Sequence, residues 1–341
     1  MTSRDLVIAA LNHEPTDRVP RDLWIMPGVA TSRADEVAEV GVRYPSDIVR
    51  PDFKYPPGKL TKGKPYKVGQ YTDAWGCTWH VKQPGTRGEV PMPPLSDPGK
   101  IDSFTPPVEI LSASRLAQAN RSCTSTSRFV LAWTDVRPFE RLQALRGTEA
   151  TLSDLAQGAK RIGKLTAMLH DFFCREMEMW ADTDVDGVAF QDDLGSAEGL
   201  LLDRKTWRDV FGPLYRDYCE ILHAKDKFAF FLSSGNIYEI FGDLVKVGAD
   251  AINCPLSVMN LERLAKRYRG QVTSWGEIDR QRIMPQGTRE EVREAVLDLR
   301  KALDFGSGGV IAQCRWSPDV PMRNVVAVFE QWLMPLPMHV N

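Results

Sequence analysis

The sequence has no excess of charge of either sign: Lys+Arg number 43 against Asp+Glu 45 in 341 residues, a net charge of −2. Nucleic-acid binding requires a basic face, so no nucleic-acid partner is expected. Long apolar runs are also missing. Val7 to Leu11, near the start, is too short for a signal core or a membrane span. The chain therefore reads as cytoplasmic, with no membrane partner. Six cysteines, Cys77, Cys123, Cys174, Cys219, Cys254 and Cys314, include no CxxC pair, which excludes a disulfide framework and a zinc ribbon. No GxGxxG follows the first strand-like segment and no P-loop lysine motif occurs, so a nucleotide fold lacks its phosphate cradle.

What is present divides near residue 128. Residues 1–127 are punctuated by prolines, among them Pro45, Pro51, Pro56, Pro57, Pro65, Pro84, Pro91, Pro93, Pro94 and Pro98, which break long helices. Inside this stretch YKVGQYTDAWGCTWHVK alternates like a hairpin, flanked by Lys54, Lys59, Lys62, Lys64 and Lys67. That lysine run is either a solvated loop or a docking surface for an acidic partner. From 128 to 334 short β-branched or aromatic runs precede amphipathic stretches, the pattern of βα units. Strands are expected at Phe129 to Trp133, Gly187 to Gln191, Phe228 to Leu232, Ala251 to Cys254, Val272 to Trp275 and Val310 to Gln313, with an earlier one at Leu23 to Met26. Helices fit Asp203 to Ala224, with Asp203 as N-cap, and Thr288 to Leu303, where Thr288 and Glu291 form a capping box. The expected fold is α/β, a (β/α)8 TIM barrel with an N-terminal extension and a hairpin insertion, occupying 1–341 as one domain.

Barrel active sites lie at the C-terminal ends of the strands. The residues there are Trp133-Thr134-Asp135, Asp192-Asp193, Ser233-Ser234-Gly235, Asn253-Cys254, Trp275-Gly276-Glu277 and Cys314-Arg315-Trp316. Carboxylates, a thiol, a guanidinium and indoles on one mouth are an enzyme's equipment. Adjacent strand residues face opposite ways, so one of Asp192 and Asp193 enters the mouth; Asp193 is the candidate acid. Glu277 either acts there or pairs with Arg280 or Arg282. Cys314 is either a metal-bound thiolate, with Glu277 as a doubtful co-ligand, or packing. Arg315 beside Trp316 can clamp a carboxylate or stack on the indole. His13, His80, His170, His223 and His339 offer no i,i+4 metal pair.

Several segments together, LNHEPTDRVP, YTDAWGCTW, FERLQALRG, QDDLGSAEGLLL, SSGNIYEIFGDLVKVGADAINCPL, SWGEIDRQRIMPQGTREEVREAV and SPDVPMRNVVAVFE, resemble the uroporphyrinogen decarboxylase superfamily over nearly the whole chain. The resemblance implies the barrel fold and either decarboxylation or methyl transfer involving a corrinoid protein or a thiol. It makes Asp47, in YPSDIV, a mouth residue. The decarboxylase's arginine-rich N-terminal segment is replaced by PRDLWIMPG, leaving Arg21, with Arg43, Arg50 and Arg137 as partial substitutes for anionic arms. The zinc thiol methyltransferases' HxC pair is replaced by Leu232 and Ser234, with Cys314 at the third-ligand place, so zinc is doubtful. The resulting expectation is a demethylase-type methyltransferase moving a methyl group from a small O-, N- or S-methyl compound to a corrinoid on a separate partner protein. Asp193, Glu277 and Asp47 are the expected catalytic residues. Trp24, Trp133, Arg137, Asp192, Ser234, Asn253, Arg315 and Trp316 are the expected substrate contacts. A carboxy-lyase acting on a small carboxylated substrate and a non-catalytic binding protein are the alternatives, and a homodimer is one possible assembly.

Overall fold

In the computed structural model, which describes residues 1–304 and 306–335, eight parallel strands form a nearly closed barrel ringed by helices. The strands are β1 (Arg21–Ile25), β2 (Ile48–Val49), β5 (Phe129–Trp133), β6 (Gly187–Gln191), β7 (Phe228–Leu232), β8 (Ala251–Asn253), β9 (Thr273–Trp275) and β10 (Val310–Trp316), in the order β1-β10-β9-β8-β7-β6-β5-β2. Outside the barrel, β3 (Gly69–Thr72) and β4 (Thr78–Val81) form the expected antiparallel hairpin. β2 is the strand that sequence periodicity missed, because two residues carry no alternation to read.

Period-2 alternation sorts the core into two layers. Val7, Leu11, Ile48, Phe129, Leu131, Ala189, Phe230, Ala251 and Ile311 fill the lumen, while Val130, Ala132, Val188, Phe231 and Ile252 face the helices. The helix α1 (Ser3–Leu11), started by a Thr2/Asp5 capping box, inserts Val7 and Leu11 into the N-terminal end of the barrel. The lower lumen is therefore solid, and only the opposite mouth is open.

Aspartates set just before strands tie the lower rim together. Asp186 accepts the Val130 N–H at 2.7 Å and Asp250 the Ala229 N–H at 2.7 Å. At the seam between β1 and β2, Asp47 accepts the Arg21 N–H at 2.7 Å and donates its own N–H to the Arg21 carbonyl at 2.8 Å. Its carboxylate also accepts from both terminal nitrogens of Arg18 at 2.7 Å and from Ser3 Oγ at 2.6 Å. Burial raises the Asp47 carboxyl, but these donors hold it below the usual carboxylate range. The expectation that Asp47 is a mouth residue is thus corrected: it precedes β2 instead of following it, and lies on the opposite rim.

Asp47→Ala removes a buried carboxylate that Arg18, Ser3 and the Arg21 N–H all donate to, and with it an interstrand acceptor. We expect a loss of roughly 3 kcal/mol in unfolding free energy, read by urea denaturation, with activity per folded molecule retained.

Candidate functional site

Above the packed lumen, the mouth opens into a cavity of about 1160 Å³. Its lower wall includes Asp22, Trp24, Arg50, Trp133 and Asp193, and its outer wall includes Tyr66, Trp79, Arg87 and Glu89 from around the hairpin. Arg141, 1% exposed, holds that hairpin in place. It pairs with Asp73 in the hairpin turn at 2.7 Å and with Asp135 after β5 at 2.6 Å, and lies 4.8 Å from the Trp75 ring centre. Although burial raises Asp135, Arg137 and Arg141 hold it well below the usual range.

The floor is organised by a residue the sequence reading did not single out. Asp22 and Trp24, two apart on β1, both turn into the lumen. One Asp22 oxygen accepts the indole N–H of Trp24 and that of Trp275, each at 2.7 Å. Trp24 meets Trp133 and Trp275 edge-on at 5.1 Å, an attractive aromatic geometry. Burial pushes the Asp22 carboxyl up to about 6, with the two indole donors and Arg50 working against that rise. Alternation along β1 could place these side chains inward, but no local motif marks a buried aspartate.

Guanidinium groups stack on this floor. Arg50 lies 4.4 Å from the Trp133 ring centre and Arg315 5.2 Å from that of Trp24. Arg315 Nε is buried with no hydrogen-bond partner. Arg137 is engaged by Asp135 at 2.8 Å and Glu140 at 3.7 Å, and by Gln191 when its amide oxygen faces the guanidinium at 2.7 Å. Arg87 reaches Glu140 at 3.2 Å while covering Trp79.

Of the expected site residues, Asp193, Trp24, Trp133 and Arg137 line the cavity. Asp193 accepts the Ser234 N–H at 3.0 Å, so Ser234 serves it through its backbone. The loops carrying them cross at Gly235, φ +73°, where a Cβ would sit 2.1 Å from the Gly195 carbonyl. Asp192 is corrected from substrate contact to helix cap: fully buried, it accepts the N–H groups of Phe139 and Glu140 and the Tyr215 hydroxyl, at 2.7 to 2.8 Å. Burial and the neighbouring Glu140 carboxylate push it up, to about 8, against those three donors. Asn253 is likewise structural, donating to the Trp275 carbonyl.

β10 runs to Trp316 instead of stopping at Gln313, which corrects two more assignments. Arg315 faces the lumen, and its neighbours Cys314 and Trp316 face the helix layer. Burial pushes the Cys314 thiol far up, and Trp316 donates to the Val320 carbonyl at 3.0 Å. Cys314 is therefore removed as a metal ligand. Glu277 pairs with Arg280 at 3.3 Å; burial raises its carboxyl while Arg280 and Arg315 pull it down. It is 5% exposed and lies outside the cavity lining. Among the described residues no group of three or more His, Cys, Asp and Glu side chains can hold a metal ion, so the residues present do not fit a zinc centre. His339 lies outside the described residues. No described helix is long and apolar enough to cross a membrane.

A family model described as "Uroporphyrinogen decarboxylase (URO-D)" matches residues 72–332, which is most of the chain. The protein belongs to the uroporphyrinogen decarboxylase family. Among solved structures, this family member is similar to a methyltransferase from Methanosarcina mazei, with a TM-score of 0.70, 13% identity, and 97% and 98% of the two chains covered. That likeness is one of fold. An endo-β-1,4-xylanase from Gloeophyllum trabeum, at 11% identity over 96% and 99% of the chains, reaches a TM-score of only 0.47 and adds nothing to it. No curated protein sequence matches the chain.

Asp22 gives a testable pH dependence. With its pKa raised in the folded state, the folded protein keeps this proton longer than the unfolded chain, and stability contributed here falls as pH rises from about 4 to 6. Asp22→Asn cannot titrate and keeps an oxygen for the indoles. Relative to wild type, it should gain roughly 3 kcal/mol between about pH 4 and pH 7, measured by denaturation at each pH. A difference that stays flat with pH contradicts this reading of the floor.

Proposed function

We propose that the protein is a demethylase-type methyltransferase, moving a methyl group from a small methylated compound to a corrinoid carried by a separate protein. Family membership and the methyltransferase of like fold support an enzyme of this general kind. The observation that carries the finer reading is the mouth cavity itself. Edge-on indoles of Trp24 and Trp133 form its floor, and the Asp193 carboxylate stands on its wall.

The chemistry asks little more of the chain. The substrate's methyl–heteroatom bond breaks with its electron pair leaving on the heteroatom, which takes a proton, and the acceptor supplies the pair for the new bond to carbon. The protein must hold the methyl group in line and exclude water. It must also have an acid at the leaving atom. Trp24 and Trp133 offer apolar contact for the methyl-bearing part. Asp193 is the candidate proton donor, oriented by the Ser234 N–H. A carboxy-lyase reading is the second, favoured by the Arg50 guanidinium, which lines the cavity and stacks on Trp133 where a substrate carboxylate can meet it.

The test mixes the protein with cobalt(I) cobalamin and a panel of methylated small molecules, following the absorbance change on methylation. The proposal expects turnover with at least one class of substrate. Carbon dioxide release from carboxylated compounds, with no methylation, decides for the second reading. In the turned-over reaction Asp193→Asn should lower kcat by roughly 10²- to 10⁴-fold with little change in substrate affinity or melting temperature.

A further inference from the structure

Charge in this chain is unevenly placed. Lys54 to Thr72 contains five lysines and no aspartate or glutamate, in a protein whose net charge is −2. Every residue from Lys59 to Gln70 is exposed. Apolar side chains are interleaved with the lysines: Leu60 is 54%, Tyr66 54% and Val68 63% exposed. Three exposed apolar side chains thus fall within nine residues of one basic segment.

The segment is fixed in place. Lys62 and Thr72 exchange two backbone hydrogen bonds, at 2.9 and 3.0 Å, and the Tyr66 carbonyl accepts the Gly85 N–H at 2.9 Å. Tyr66 also lines the cavity, so the segment forms part of the rim of the mouth. Lys62, Lys64 and Lys67 make no ion pair with any described residue. An ordered positive rim with apolar side chains set among the charges offers a partner of opposite charge both electrostatic steering and apolar contact. A nucleic-acid track relies instead on phosphate contacts, and attraction to an anionic membrane on clustered basic residues, so RNA and anionic vesicles are both probes in the experiment.

We propose that the segment from Lys59 to Val68 is the docking surface for an acidic face of the protein that carries the methyl acceptor. The proposal rests on the methyl-transfer reading above and adds where the carrier binds. A carrier seated on this rim presents its acceptor directly over the cavity that Tyr66 borders.

The experiment uses the triple variant Lys62→Glu, Lys64→Glu, Lys67→Glu and two acceptors, free cobalt(I) cobalamin and the corrinoid-loaded carrier proteins of the source cell. Binding is followed by co-sedimentation at the corrinoid absorbance, independently of turnover. We expect the wild type to bind a carrier and to lose that binding as salt is raised to about 0.5 M, because exposed charges are screened. The triple variant should bind the carrier and methylate it at least about tenfold less well at low salt, with transfer to free cobalamin and the melting temperature unchanged. Absence of carrier binding by the wild type, or binding untouched by the charge reversal, overturns the docking surface. So does charge reversal that abolishes binding to phosphatidylglycerol vesicles or to RNA while leaving the carrier unaffected. Wild type that binds the carrier in the expected salt-dependent way but methylates neither acceptor refutes the reaction and leaves the docking surface standing.

Discussion

The site depends on one carboxylate buried where a barrel is normally apolar. Asp22 draws two indole N–H groups, from Trp24 on the same strand and from Trp275 on β9, onto a single oxygen. A carboxylate in that position costs free energy unless donors meet it, and the two tryptophans supply them. Their rings are thereby fixed across the lumen, edge-on to one another. Below them the barrel is packed solid by α1 and the lumen side chains; above them it is open. The Asp22 hydrogen bonds therefore set the height of the floor and the orientation of its aromatic surface.

Around that floor the charged groups divide by how fully they are engaged. Arg141, Arg137 and Arg87 hold the hairpin and loops through Asp73, Asp135 and Glu140, so their first task is architectural. Arg50 and Arg315 stack on the indoles instead, and of the two Arg50 lines the cavity. The result is a cavity with an indole floor, the Asp193 carboxylate on one side and guanidinium groups at its edges. Under the proposed function, that combination receives a small compound with an apolar methyl-bearing part and a polar or anionic leaving part.

Much of the fold was legible in the sequence because buried parallel strands write themselves as short apolar runs. Phe129 to Trp133, Gly187 to Gln191 and Phe228 to Leu232 fall within their strands to the residue, and the Thr288/Glu291 box starts its helix as expected. The errors also have physical causes. Ending β10 at Gln313 hid the alternation that turns Cys314 and Trp316 away from the mouth. Placing Asp47 from resemblance ignored that a residue before a strand lies at the barrel's other end. Asp192 and Asp193 separated as adjacent strand-end residues must, one capping a helix and one lining the cavity. Asp22 could not be found locally, since its meaning comes from Trp275, about 250 positions away in the chain and adjacent only once the barrel closes.

Under the proposed function, the cavity over the Trp24–Trp133 floor holds the reacting methyl group. The most direct test is the crystal structure of the protein with the methylated compound it turns over. The methyl carbon is expected in van der Waals contact with the indoles of Trp24 and Trp133, and the leaving heteroatom within hydrogen-bond reach of Asp193. A compound bound away from the barrel mouth, or in the mouth with its methyl group touching neither indole, would contradict it.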